Sequence, residues 1–257
     1  MSTNPNATRS SELLDEGELS HQEVSRALED LRRSNRWLLG YRILRQTLLP
    51  RLLAPEDPAS SPADTASFPT RDDSPPWVLD VGCGLGDVSA DLAQQAEAKG
   101  RPIRVVGLDA QLRHLLLGRR EYPQQHRVVA CARHLPFAED AVSWSFSSLV
   151  FHHFDAVAND RILAEMRRVA RRGAVIVDLR RSPWLRALIR PTLRLLGNGP
   201  VARHDGRLSV AASWSLKAVR QLAATHPILE LRRRFPFRFS LVLDGRPTPS
   251  LDEDRPS

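Results

Sequence analysis

Gly82, Gly84 and Gly86 stand on alternate positions between an apolar run, Trp77 to Val81, and an amphipathic segment from Val88 to about Ala98. That order reads as strand, tight turn, helix. Glycine tolerates positive φ and lets a ligand approach the backbone closely, and the helix behind the turn offers free N–H groups. Cys83 sits inside the turn, and Asp80 lies in the strand just ahead of it. The dinucleotide pattern G-x-G-x-x-G is not met: the third glycine comes one residue early, and Asp87 stands where glycine is needed. No Lys-Ser/Thr pair follows, so the turn is not a phosphate-binding P-loop either.

Other residues could work beside that turn. His152 and His153 follow an apolar segment, and a histidine has the pKa to take a proton from a hydroxyl. Asp178, Arg180 and Arg181 end another apolar run, and paired arginines suit an anionic group, although surface salt bridges are the favoured explanation. His204-Asp205, read as part of a loop, is a further acid–base candidate. Trp37 and Tyr41 lie four apart, on one face of an expected helix, where aromatic rings suit a flat substrate. No Cys-x-x-Cys or His-x-x-x-His spacing is present, and no metal is expected.

The segment Asp80 to Gly86, D-x-G-x-G-x-G, resembles the first motif of the class I S-adenosylmethionine-dependent methyltransferases. Four further segments follow in that family's order. Val105 to Asp109 is a second short strand, its acid about 23 residues past Gly86, near the ~20-residue spacing of ribose-binding acids. His134-Leu135-Pro136-Phe137 with Glu139 to Val142 resembles the family's LPF segment. Ser147 to Phe154 resembles its fourth-strand motif, and Met166 to Gly173 leads into its fifth strand. The resemblance spans roughly residues 76–180 and implies S-adenosylmethionine as cofactor. It places that cofactor on Asp80, Gly82, Cys83, Gly84, Gly86, Asp109, Ala110, Ala132, Arg133 and Leu149. Asp109, a carboxylate at a strand tip, would accept from the ribose hydroxyls. Asp80 would orient the sulfonium or amino group. Cys131 stands where the family often carries an adenine-binding acid, and a thiol replaces a carboxylate poorly.

The implied acceptor is a small molecule, such as a phenolic or quinol oxygen of a secondary metabolite, with a ring carbon next. Catalysis would fall to His152, His153 or His204, and substrate contact to Trp37, Tyr41, Arg180 and Arg181. One of the paired histidines often only packs in this family. A nucleic-acid acceptor is not expected, because Ser147 to Val150 lacks the Pro-Pro motif used on a flipped base. A SAM-binding subunit without turnover is the competing class.

The elements that must position these groups alternate. Strands are expected at 76–81, 103–109, 126–131, 142–148 and 174–179, with helices at 86–98, 111–120 and 157–170 between them. This is an α/β pattern, a Rossmann-like seven-stranded, mostly parallel sheet with an antiparallel last strand and helices on both faces. A helix from Trp184 to Leu196, interrupted at Pro191, an irregular stretch at Leu208 to Ala212, and a helix capped by Ser213 or Ser215 precede a closing hairpin around Pro236. Residues 1–54 read as a helical extension, frayed to about residue 20, with Ser34 or Asn35 starting a second helix. That extension could form a lid. Residues 55–75, rich in Pro, Ser and Asp, read as a linker, 76–244 as the core and 245–257 as a disordered tail.

The 257 residues carry a formal net charge of +7, with lysine only at Lys99 and Lys217. Arginine occurs in every segment, so the charge reads as solvated faces rather than one nucleic-acid patch. Two cysteines give no disulfide framework. The N-terminus is polar and no run reaches membrane-spanning length. A cytoplasmic monomer or homodimer is expected.

Overall fold

The computed structural model describes residues 12–14, 19–55 and 75–245. The linker and tail expected at 55–75 and 245–257 fall, but for their end residues, outside the described residues. Inside the sheet lies β1 (Trp77–Val81). It pairs in parallel with β2 (Arg104–Asp109) on one side and β4 (Val142–Ser148) on the other. β3 (His126–Val129) extends the sheet beyond β2, and β5 (Ala170–Leu179) beyond β4. β6 (Ile228–Arg234) and β7 (Arg238–Asp244) close the sheet, with β7 antiparallel to both β5 and β6. The order β3-β2-β1-β4-β5-β7-β6 reverses between β1 and β4. In such sheets the ligand crevice opens at the carboxyl ends of the strands flanking that reversal. The glycine turn follows β1 and the histidine pair follows β4, so the topology brings the two motifs to one crevice.

Strand residues alternate between two cores. Leu79, Val81, Ala174 and Ile176 face one layer, which includes Ile162, Leu163 and Met166 of α5 (Ala156–Arg168) and Val219 of α8 (Leu216–Leu222). Val78, Val175 and Val177 face the other, with Val88, Leu92 and Ala96 of α3 (Asp87–Glu97). Buried on both faces, the central strands read as continuous apolar runs. The second layer also takes Ile43, Leu44, Leu48, Leu49 and Leu52 of α2 (Gly40–Leu53). The second N-terminal helix is therefore part of the core.

Several boundaries differ from expectation. α1 (His21–Trp37) runs through Ser34 and Asn35, neither of which starts a helix. Their side chains are spent on tertiary contacts, Ser34 accepting from Asn198 and Asn35 from the buried Arg238 guanidinium. The chain breaks instead at Leu39, a non-glycine residue at φ 60° just ahead of Gly40. Beyond β2, α4 spans Leu112–Glu121. α6 (Pro183–Leu195) continues through Pro191. The stretch read as loop and irregular chain is one helix, α7 (Pro200–Ala212), with Pro200 in its first turn, where a missing N–H costs nothing. Its entry is fixed by the Asp30 carboxylate of α1, which accepts from Gly199 N–H at 2.6 Å. The third strand is shorter than read, and β5 begins four residues earlier than the expected 174.

Candidate active site

The glycine turn is shaped by backbone that side chains resist. Gly82 has φ 75°, and a Cβ there would lie 2.4 Å from Val150 Cγ2. Gly84 has φ 54°, yet a Cβ there would meet nothing within 4 Å. The turn thus keeps an open cradle at Gly84. Gly84 N–H donates to Asp109 Oδ2 at 2.9 Å, and Gln111 N–H to Oδ1 at 2.8 Å. The strand-tip acid and the turn are therefore locked together. Gly86, also at positive φ, caps α3. Cys83 packs inward against Gly107, and burial pushes its thiol well up.

Asp80 is fully enclosed. Burial raises its carboxyl to about 8, with Ser89 pulling the other way. Its Oδ2 has no hydrogen-bond partner among the described residues. An unpaired buried carboxylate oxygen is costly, and a cation beside it would relieve that cost. The cradle at Gly84, the acid at Asp109 and the orphaned oxygen of Asp80 all fit a sulfonium cofactor with a ribose.

The remaining expected contacts line the strand tips. Ala110 is exposed and Ala132 half-buried. Arg133 hydrogen-bonds Cys131 and lowers that thiol, so position 131 carries a guanidinium-paired sulfur instead of an acid. Leu149 holds φ 62° at the end of β4 and donates its N–H to Val177 O at 3.0 Å. Left-handed backbone in a branched residue is strained, and such strain gathers at functional sites.

His152 and His153 sit in a 3₁₀ turn, Phe151–His153, at the crevice. His152 is buried, and its Nδ1 is 2.7 Å from Asp178 Oδ1. Asp178 Oδ2 accepts from Phe151 N–H at 2.7 Å and His152 N–H at 3.3 Å. Burial alone would raise Asp178, but the charge and hydrogen bond of His152 hold it below the usual carboxylate range. A carboxylate only accepts, so the proton of His152 is fixed on Nδ1 and Nε2 is presented. His153 is the more exposed, its ring centroid 4.4 Å from that of His152.

Both Nε2 atoms face Glu12, at 3.9 Å each. The segment Glu12–Leu14 crosses to this turn from the N-terminus. Leu13 and Leu14 N–H groups donate to Asp205 at 2.9 and 3.1 Å, Arg113 donates to Leu14 O, and Ser209 Oγ donates to Glu12 Oε1. Leu14 packs with Val24, Ala27 and Leu28 of α1 over Leu85 of the glycine turn. Glu12 and Ser209 escaped sequence reasoning because they are 197 residues apart in the chain, and Asp205 was named only as an acid–base partner of His204. Asp178 was named only with its neighbouring arginines.

Five further expected substrate or catalytic residues are placed as follows. Trp37 ends α1, is 69% exposed, and does not share a helix face with Tyr41, because the chain breaks between them. Tyr41 hydrogen-bonds Asp87 at the start of α3, and burial together with the Asp87 charge pushes its phenol upward. Tyr41 braces the helix behind the glycine turn. Arg181 Nε donates to Ser213 O at 2.9 Å, and Arg180 N–H to Phe237 O at 2.7 Å, tying the end of β5 to its neighbours. His204 lies on α7, not in a loop. It lines a separate cavity of about 390 Å³ between α6 and α7, with Arg190, Arg194, Arg203 and Arg207.

Residues 78–173 match the family model described as a methyltransferase domain. This stretch, which carries the glycine turn, Asp109 and the histidine turn, is a class I S-adenosylmethionine-dependent methyltransferase domain. The chain is 32% identical over 108 residues to a malonyl-[acyl-carrier protein] O-methyltransferase of Hamiltonella defensa, covering 42% of this chain and 39% of that protein. It is 33% identical over 111 residues to an uncharacterized methyltransferase of Synechocystis, covering 42% and 50%. The chain thus spans half or less of the length of these curated relatives. The fold is similar to that of the PH0226 protein of Pyrococcus horikoshii, with a TM-score of 0.52 and 19% identity over 79% of this chain and 90% of that one. No helix among the described residues is long and apolar enough to cross a membrane.

Proposed function

We propose that the protein methylates a small-molecule acceptor, preferably a phenolic or quinol hydroxyl, in the crevice between the glycine turn and the histidine turn. The observation that carries this reading is the buried Asp178–His152 pair, which joins the end of β5 to the turn after β4 beside the cofactor cradle. S-adenosylmethionine, when bound, supplies an activated methyl group on a sulfonium. The chain has to supply position, dryness and proton removal. Asp80, Gly84 and Asp109 would hold the cofactor. His152 or His153 would face the acceptor hydroxyl, and the Glu12–Leu14 strap with α1 would cover it. The test is incubation of extracted metabolites with the protein and isotopically labelled S-adenosylmethionine, read by mass spectrometry. Label on a phenolic oxygen supports the reading. Label on ring carbon only would shift it to C-methylation, and tight cofactor binding without any labelled product would make the chain a binding subunit.

A second reading concerns how the acceptor arrives. The cavity between α6 and α7 is lined by four arginines that have no ion-pair partner among the described residues. Such a surface suits an acidic carrier, and one relative is named for a carrier-protein substrate. Arg190→Glu with Arg207→Glu should slow a carrier-tethered acceptor and leave a free one unaffected.

A further inference from the structure

We propose that Glu12, His152 and His153 form a site for a first-row divalent cation of the zinc type. Their ligand atoms, one carboxylate oxygen and two imidazole nitrogens, all lie within 4.8 Å of one another. Each Nε2 stands 3.9 Å from an oxygen of Glu12, too far for a hydrogen bond. Two donors bound at about 2.1 Å to a tetrahedral ion lie roughly 3.4 Å apart. A contraction of about an ångström, within reach of a strap held at a few points, would close the site.

The surroundings are those of a ligand set. A metal-bound histidine usually gives its other ring N–H to a carboxylate, which fixes the tautomer and raises its basicity. His152 does so toward Asp178, through Nδ1 at 2.7 Å, and its Nε2 faces the cluster. Glu12 is in turn fixed by the Ser209 hydroxyl at 2.5 Å. His152 is 3% exposed, Glu12 13% and His153 27%, so the cluster is enclosed on one side and open on another. Two imidazoles and one carboxylate with an open position form a set used for zinc and for ferrous iron. An acceptor oxygen is the natural fourth ligand, and with the ion bound both imidazoles serve as ligands, the ion lowering the pKa of the hydroxyl in place of a histidine base. The spacing was invisible in sequence because Glu12 and His152 are 140 positions apart.

The test uses tag-free full-length protein, stripped with EDTA and desalted, then titrated with Zn²⁺ and with Co²⁺. The expected result is one ion per chain and a visible Co²⁺ spectrum of a low-coordinate, histidine-bearing site. Glu12→Gln and His153→Ala should each weaken binding at least tenfold, Asp178→Asn on the order of 10–100-fold, and His204→Ala not at all. S-adenosylmethionine binding is measured on the same samples. Protein that binds the cofactor but takes up no stoichiometric ion overturns the site and leaves the methyltransferase reading intact. Uptake that survives both Glu12→Gln and His153→Ala also overturns it, since the ion then sits elsewhere.

Discussion

Asp178 Oδ1 and His152 Nδ1 meet at 2.7 Å with both side chains buried, and the other Asp178 oxygen holds the N–H groups of the turn that carries His152. One carboxylate thus sets the tautomer, the orientation and the backbone of the candidate base. Asp178→Asn keeps the shape and removes the charge. Methyl transfer is expected to fall by about 10²–10⁴-fold, the range of a lost acid–base contribution, with cofactor affinity unchanged. Calorimetry and single-turnover rates on the same preparation check this, and an unchanged rate would remove His152 from proton transfer.

Asp109→Ala removes the acid expected on the ribose and also frees Gly84 N–H, which it holds at 2.9 Å. A lost charged hydrogen bond costs roughly 1.5–3 kcal/mol. S-adenosylmethionine binding should weaken by one to two orders of magnitude while circular dichroism stays native. Unchanged affinity by calorimetry would sink the assignment.

Gly84→Val separates cradle from ordinary turn. An added Cβ meets nothing within 4 Å, so the side chain grows into the space left for a ligand, while φ 54° is hostile to a branched residue. Cofactor binding should vanish from a folded protein. Titration with normal affinity would show that the turn only reverses the chain.

Much of this site could be read from sequence because its signals are local. Strand, glycines and helix are contiguous, and the acid at Asp109 comes at a fixed spacing. Where tertiary contacts overrode local chemistry, the reading failed. Arg203-His204-Asp205-Gly206 looks like a loop, yet Pro200 and the Asp30–Gly199 bond start a helix through it. Trp37 and Tyr41 fit one helix period until Leu39 turns left-handed. Glu12 sits in a polar terminus with no periodicity, and nothing nearby hints at histidines 140 positions on.

Asp80 predicts a pH dependence. Its carboxyl is raised from 3.8 to about 8 by burial. Below the lower value both states hold the proton. Between the two, the folded protein keeps a proton that the unfolded chain has lost, so stability falls as pH rises through this window and levels off above about 8. A cationic cofactor favours the ionised form, so binding should release a proton and tighten from pH 6 to 8, up to tenfold per unit. Asp80→Asn should flatten both profiles. Thermal melts and calorimetry across that range provide the check, and a wild-type profile as flat as that of the variant would refute it.

The strap predicts a separation of binding from turnover. α2 is a core helix, with Ile43, Leu44 and Leu48 at 0–3% exposure, so removing residues 1–56 would strip one face of the sheet. We propose the lid role instead for Glu12–Leu14 with α1: Leu14 and α1 pack over Leu85 of the glycine turn, and Glu12 faces the histidine turn. Asp205 holds that segment by accepting from Leu13 and Leu14 N–H. Each such bond to a charged group is worth about 1.5–3 kcal/mol, so Asp205→Ala should release the strap while the sheet stays intact. Hydrogen exchange at residues 12–14 should speed up, S-adenosylmethionine affinity should stay within about threefold, and methyl transfer should drop at least tenfold, because lids exclude water and hold the acceptor in line. If exchange shows the segment released and the rate stays at the wild-type value, the strap is a structural appendage and the crevice works uncovered.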